Sequence, residues 1–372
     1  MDKINVDQLK KTWPKAEGVE EAMTAGGSDS IVEETREQLC RLFEGSKKEN
    51  VVFTETMDEA LSKTIKALFK GGDHVLVSSL ENDAVTKTLD EIQKTGVEYT
   101  MIPCNEKGQL ILYDPGKDKD VFAAVEALLQ PNTKGLIINH ASEVCGSVLQ
   151  AKELCEFAKK HNLLFVLNAA QTAGYVPIYM KQWGVDVLTF SGRYGLLGPE
   201  EANGFIASER AAEIFGGGNW QEQFETKNPD KKAIAGLHKA LEFVINKKIQ
   251  FLCGNGHKMA EYFIRKVQHI SGVHIIGPGY KDRVPIVSIQ TDFMTEKDVE
   301  EKLLKDWGIV ATSGCHGAEA AHKALGTWPR GTLRFAFGYF NTIAQMDKLV
   351  QAMWQMTVQT DILPSGSNMP KE

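Results

Sequence analysis

The chain has 372 residues, of which 42% are hydrophobic and 24% charged. Those are ordinary globular proportions, which exclude a disordered chain and suggest two or three domains, or one large domain with an appendage. Asp and Glu number 49 against 42 Lys and Arg, a net charge of −7, which argues against a general nucleic-acid binder.

From residue 51 to about 208, short apolar runs alternate with amphipathic segments. Val51-Val52-Phe53-Thr54 reads as a strand. Met57, Leu61, Ile65 and Leu68 then share one helical face, which stops at Gly71-Gly72. His74 to Ser78 is a second strand, and Val85, Leu89 and Ile92 mark a second helix. Val97 to Ile102 and Gly135 to Asn139 are further strands. Ala151, Leu154 and Ala158 form a stripe that leads into Leu163-Leu164-Phe165-Val166-Leu167. A run without polar interruption suits a strand covered on both faces. Val185 to Phe190 and Gly204 to Ser208 complete a set that predicts a largely parallel sheet between helices.

Beyond Gly216-Gly217-Gly218 the pattern changes. Residues 231–270 read as long helices, 284–290 and 332–337 as strands, and 296–306 and 342–357 as helices. This is the pattern of a smaller α+β domain. The polar tail from Pro364 to Glu372 reads as disordered. No apolar run reaches the ~18 residues of a membrane span. The start, Met1 to Asp7, has no signal-like core. The six cysteines are scattered, which suits reduced thiols in a cytoplasmic protein. The nine histidines show no metal spacing.

Three segments carry a specific resemblance. They are Asn139-His140-Ala141-Ser142-Glu143-Val144-Cys145-Gly146, Leu167-Asn168-Ala169-Ala170-Gln171 and Phe190-Ser191-Gly192-Arg193-Tyr194. Together they resemble the class V aminotransferases, in particular the cysteine desulfurases. Trp13 to Val19, Glu81 to Val85, Ala321 to Thr327, Gly331 to Phe335 and Gly338 to Thr342 extend the likeness over nearly the whole chain. The resemblance implies the fold type I pyridoxal-phosphate architecture, a large mostly parallel α/β domain with a smaller α+β C-terminal domain. Its boundaries would be an arm over 1–20, the large domain over 21–235, the small domain over 236–363 and a tail over 364–372. A homodimer is also implied; a heterodimer with a homologue belongs to the reading of the chain as a binding protein given below.

Such an enzyme needs a lysine for the Schiff base and an acid beside the pyridine nitrogen. The resemblance puts Tyr194 at the lysine, and a phenol forms no imine. It puts Asn168 at the acid and Asn82 at the stacking histidine. The phosphate loop, a helix N-terminus in the family, falls on Thr56-Met57-Asp58, with Asp58 read as the N-cap. Two like charges about 4 Å apart cost on the order of 4 kcal/mol at an effective dielectric near 20. Glu143 stands for an asparagine that meets substrate or cofactor oxygens. Lys227-Asn228 stand for the Gly-Thr pair that reaches the partner subunit. The sulfur-accepting cysteine falls on Gly317, two residues after Cys315.

Some positions persist. Gln171 stands where the family bonds the cofactor's phenolic oxygen, Ser191 at a phosphate contact, and Arg334 at the substrate carboxylate. Each has a plainer alternative: Gln171 and Ser191 could satisfy backbone at strand ends, and Arg334 could pair with Glu143. The reading that follows is a pseudoenzyme that expects no cofactor and acts by binding, on a homologue or on a small carboxylate. Two alternatives stand beside it. One is an active enzyme holding pyridoxal or pyridoxamine phosphate noncovalently, with Tyr194 as acid/base and Arg193 on the phosphate. The other is a sulfur acceptor through Cys315, helped by His316. Neither nucleic acid nor membrane is expected as a partner.

Overall fold

The computed structural model describes residues 3–8, 10, 14–113 and 121–359. Trp13 of the arm motif and the 364–372 tail lie outside the described residues. The large sheet has seven strands: β1 (Val51–Thr54), β2 (His74–Ser78), β3 (Glu98–Ile102), β4 (Thr133–Asn139), β5 (Leu164–Asn168), β6 (Val187–Ser191) and β7 (Asn203–Ala207). Their order is β1-β7-β6-β5-β4-β2-β3. β7 runs opposite to the rest, antiparallel to both β1 and β6, and the other pairs are parallel.

Alternation along β5 explains why its sequence is apolar throughout. Leu164 and Val166 pack on one face with Leu61 and Ile65 of α2 (Met57–Leu68) and Leu89 of α3 (Asp83–Gln93). Phe165 and Leu167 pack on the other, with Leu39 of α1 (Asp29–Phe43) and Leu154 of α4 (Ala151–Lys160). Each such side chain contributes roughly 1.5–3 kcal/mol by leaving water. Losing either layer of helices would expose half of these groups.

α5 (Lys231–Lys247) and α6 (Ile249–Val267) follow. Ile234, Leu237 and Leu241 of α5 pack into the large core, so this helix runs unbroken across residues 235 and 236. The second sheet contains β8 (Val273–Ile276), β9 (Ile286–Thr291), β10 (Thr312–Gly314) and β11 (Thr332–Ala336), all antiparallel, in the order β10-β11-β9-β8. Met259 and Phe263 of α6, Val299 and Leu303 of α7 (Glu296–Trp307), and Met346 and Leu349 of α9 (Ile343–Gln359) cover it. Between β10 and β11 lies the short α8 (Glu319–Ala324). The N-terminal arm joins this domain, where Ile4 and Asn5 pair in parallel with Ile309 and Val310. Among the described residues, no helix is long and apolar enough to cross a membrane.

Candidate active site

The parallel strands all end on one edge of the large sheet, where ligands of open α/β folds bind. Glu81 and Asn82 follow β2, Glu143 follows β4, Gln171 follows β5, and Arg193 and Tyr194 follow β6. Asn168 and Ser191 are the last residues of their strands. The loops are packed hard together. Gly174 has φ +83°, and a Cβ there would lie 2.2 Å from the Gly195 carbonyl oxygen, beside Tyr194. The small domain contributes Arg334 from β11. Tyr194, Glu143, Arg193 and Arg334 are close enough to feel each other's charge.

The helix ends that would hold a phosphate are used by the chain. At α2 the N-cap is Thr56, not Asp58: its Oγ1 accepts from the Glu59 N–H at 3.1 Å. Glu59 in turn accepts from the Glu55 N–H at 2.8 Å, a variant of the capping box. The apolar phase that begins at Met57 sets the helix start one residue ahead of Asp58. That leaves Asp58 exposed in the first turn, where a carboxylate favours the helix and opposes an incoming anion. Asn82 caps α3, accepting from the Val85 N–H at 3.2 Å.

Arg334 does not pair with the Glu143 carboxylate. Its Nη1 donates to the Glu143 carbonyl oxygen at 3.3 Å, and its ionic partner is Asp7 of the arm, 3.6 Å from Nη2. Asp7 also accepts from Thr312. The Glu143 carboxylate, 7% exposed, has no hydrogen-bond partner among the described residues. Burial raises its pKa; Arg334 pulls it down, while Asp83 and Asp58 add to the rise, and the result is about 8. Burial and then Glu143 push the Tyr194 phenol up. Arg193 lies over the Tyr194 ring at 5.8 Å and is held by Glu200 at 2.7 Å.

Ser191 takes the plainer role, accepting from the Arg193 N–H at 3.4 Å. Gln171 does not, because its Oε1 is buried without a partner. Asn168 accepts from the Ala170 N–H at 3.2 Å, while its amide nitrogen is buried and unpartnered. For the pyridoxal phosphate that the resemblance implies, the fit is divided. Asn168 and Gln171 leave polar atoms free at the ring end. Tyr194, Asn82 and the acidic start of α2 supply no covalent tether, no stacking ring and no phosphate cradle.

Cys315 is not prepared as a sulfur carrier. Its Sγ lies 3.8 Å from the Pro329 carbonyl oxygen. Burial, with Glu319 and Asp83, raises its pKa, whereas reactive thiols have theirs lowered. Nor does His316 assist: its Nε2 bonds to Thr332 Oγ1 at 3.0 Å, and its pKa falls well below 6.5 through burial first and Arg334 next. The loop that holds both is tied to α3. The Asp83 N–H donates to the Gly317 carbonyl at 2.7 Å, and Asp83 Oδ1 accepts from the Glu319 N–H at 2.9 Å. Asp83 thus caps α8, which has no cap of its own.

His140 is a core residue, bonded through Nδ1 to Thr172 at 2.9 Å and held neutral by burial with a pKa of about 4. Among the described residues, no group of three or more His, Cys, Asp or Glu could hold a metal. Asp7, Asp83 and His322 were missed as site residues by sequence reasoning. Asp83 and His322 stand inside segments that carry the resemblance, and their positions at the start of α3 and within α8 were the available signal. Asp7 had none, because the arm has no periodicity.

The aminotransferase class-V family model matches residues 15–349. A cysteine desulfurase of Dictyoglomus turgidum is 28% identical over 67% of this chain and 62% of its own length. A probable cysteine desulfurase of Mycolicibacterium paratuberculosis is 24% identical over 88% of this chain. The chain spans 49% of that relative's length. The apo structure of a cysteine desulfurase from Thermococcus onnurineus NA1 superposes with a TM-score of 0.85 at 22% identity, covering 97% of this chain and 95% of that one.

Proposed function

The chain belongs to the class V aminotransferase family, and from that premise we propose that it is a lysine-less member that forms no Schiff base and acts by binding. Its role would be that of a regulator, scaffold or partner of an active homologue. Membership overturns one expectation, that no cofactor is called for, because class V aminotransferases and cysteine desulfurases depend on pyridoxal phosphate. When bound, that compound supplies an electron sink. Asn168 and Gln171 at the ring end, and Ser191 at the phosphate, are the residues that would hold it in this chain, without a covalent tether.

What supports the proposal is Tyr194, which the resemblance puts at the lysine position. Its hydroxyl has no hydrogen-bond partner among the described residues, and burial together with Glu143 makes it a weaker acid than a free phenol. Glu143 keeps its own proton at neutral pH. Asp7 draws on part of the charge of Arg334. The remaining groups bind and orient, and none is poised to take a proton from carbon.

The test is turnover. Full-length protein supplied with pyridoxal phosphate and L-cysteine is expected to release neither sulfide nor alanine above the blank. Sustained release, abolished in Tyr194→Phe, would overturn the proposal in favour of an enzyme with a noncovalently held cofactor. Pairing with a second copy or a homologue belongs to the same proposal. Light scattering tests self-pairing, and co-purification with an active homologue tests the other.

A further inference from the structure

The C-terminal half of α1, the junction of α5 with α6 and the stretch between β5 and β6 surround a cavity of about 300 Å³. That is the small end of the range that ligand sites occupy, roughly 300–1,000 Å³. Leu42, Pro177, Tyr179, Val244, Ile245 and Ile249 give it apolar walls. Tyr179 is 38% exposed and Ile245 43%, so large apolar groups face water here. None of the residues that line the cavity belongs to the candidate active site.

The polar lining includes Gln38, Arg41 and Lys248. Gln38 Oε1 is buried and has no hydrogen-bond partner among the described residues. A buried acceptor left unbonded is costly, and a donor on a bound molecule satisfies it. Lys248 has no ion-pair partner among the described residues. Arg41 meets Glu37 at 3.6 Å, but Glu37 is shared with Lys48 at 3.2 Å.

Lys248 also has an unusual backbone. It is the single residue between α5 and α6, with φ 66° and ψ 133°. Glycine enters that region freely, and a residue with a Cβ does so only under strain. Both helices hold it there. The Lys248 N–H donates to the Ile245 carbonyl at 3.3 Å, and the Lys248 carbonyl accepts from the Phe251 and Leu252 N–H groups at 3.1 and 3.3 Å. The strained turn sets a lysine at the cavity with no acid to meet it, as in sites where a bound molecule uses the side chain.

We infer that this cavity binds a small aromatic carboxylate that carries an N–H group. The ring lies against the apolar walls, the N–H donates to Gln38 Oε1, and the carboxylate meets Lys248 and Arg41. A flat, rigid body covers those walls with little loss of conformational freedom. Indole carboxylates unite the three features. A plain hydrocarbon leaves Gln38 and both cations unmet, and an ammonium compound meets like charge. The inference goes beyond the binding role proposed for the cleft and stands whether or not the cleft holds a cofactor.

The experiment is calorimetric titration of the full chain with indolepropionate, its neutral amide and its ring-N-methylated derivative. The acid should bind at one saturable site. At low salt the amide should bind about threefold to fivefold more weakly, the worth of contact with exposed cations, and added salt should narrow that gap. The N-methylated acid should bind at least about fivefold more weakly, because it leaves Gln38 unbonded. Lys248→Gly keeps the turn, since glycine adopts its φ without strain, and should narrow the gap between acid and amide. Gln38→Leu should narrow the gap between the acid and its N-methylated derivative. No binding of the acid, as when a second copy covers the cavity, would overturn the inference. So would equal affinity for all three compounds in the native protein, or preferences that survive both substitutions.

Discussion

Asp7 lies against Arg334, with Oδ2 and Nη2 3.6 Å apart and side chains 0% and 8% exposed. The two come from opposite ends of the chain, and their contact fastens the N-terminal arm to the central strand of the small sheet. Removing one partner of a buried pair leaves the other charge stranded, at a cost of roughly 3–5 kcal/mol. Asp7→Asn is therefore expected to lower the unfolding free energy by that order, read as a fall in the urea midpoint. An unchanged midpoint would show that the pair holds nothing.

Arg283 is another sealed guanidinium, 0% exposed. It donates to the carbonyls of Gly279 at 3.2 Å, Ile286 at 3.0 Å and Ile276 at 3.4 Å, and also to Pro278. Arg283→Ala strands these acceptors and should cost more than about 3 kcal/mol in chemical denaturation. Arg283→Lys, which keeps the charge but fewer donors, should recover part of the loss.

Stability should fall as pH rises from 6.5 to 8. Burial holds Glu81 and Glu143 in the acid form up to about pH 8, against an ordinary 4.5. In that window the unfolded chain has shed protons that the folded chain keeps, so ionisation favours unfolding. His140 and His322, which burial lowers from 6.5 to about 4, act in the opposite sense. Their contribution is lost as pH falls from 6.5 toward 4. Above pH 6.5 only the acids act, and Glu81→Gln should flatten the decline between pH 6.5 and 8. Parallel declines in thermal melts of the two proteins would refute this.

Cys315 should alkylate slowly. Its thiol is raised by burial and by two neighbouring carboxylates, so little thiolate exists near neutral pH. Iodoacetamide should modify it more slowly than free glutathione, and Cys315→Ser should leave ligand binding unchanged. A rate above that of glutathione would restore it as a sulfur acceptor.

The large sheet was legible because its strands, covered on both faces, leave continuous apolar runs such as Leu164 to Leu167. The short strands Ile4–Asn5 and Thr312–Gly314 were not, since two or three residues carry no period. The cap of α2 was placed on Asp58 instead of Thr56 because both residue types cap well and only the packed phase of Met57 decides between them. The cleft's members were legible one at a time. Their pairing was not: Arg334 with Asp7 instead of Glu143, and His316 with Thr332 instead of Cys315, depend on how two domains and an arm meet.

The double tie between Asp83 and the Gly317–Glu319 loop joins the start of α3 to the segment between β10 and β11. Two hydrogen bonds, each worth about 1 kcal/mol net, hold that loop in the resting molecule. The entropy of ordering the stretch that carries Cys315 and His316 is therefore spent during folding.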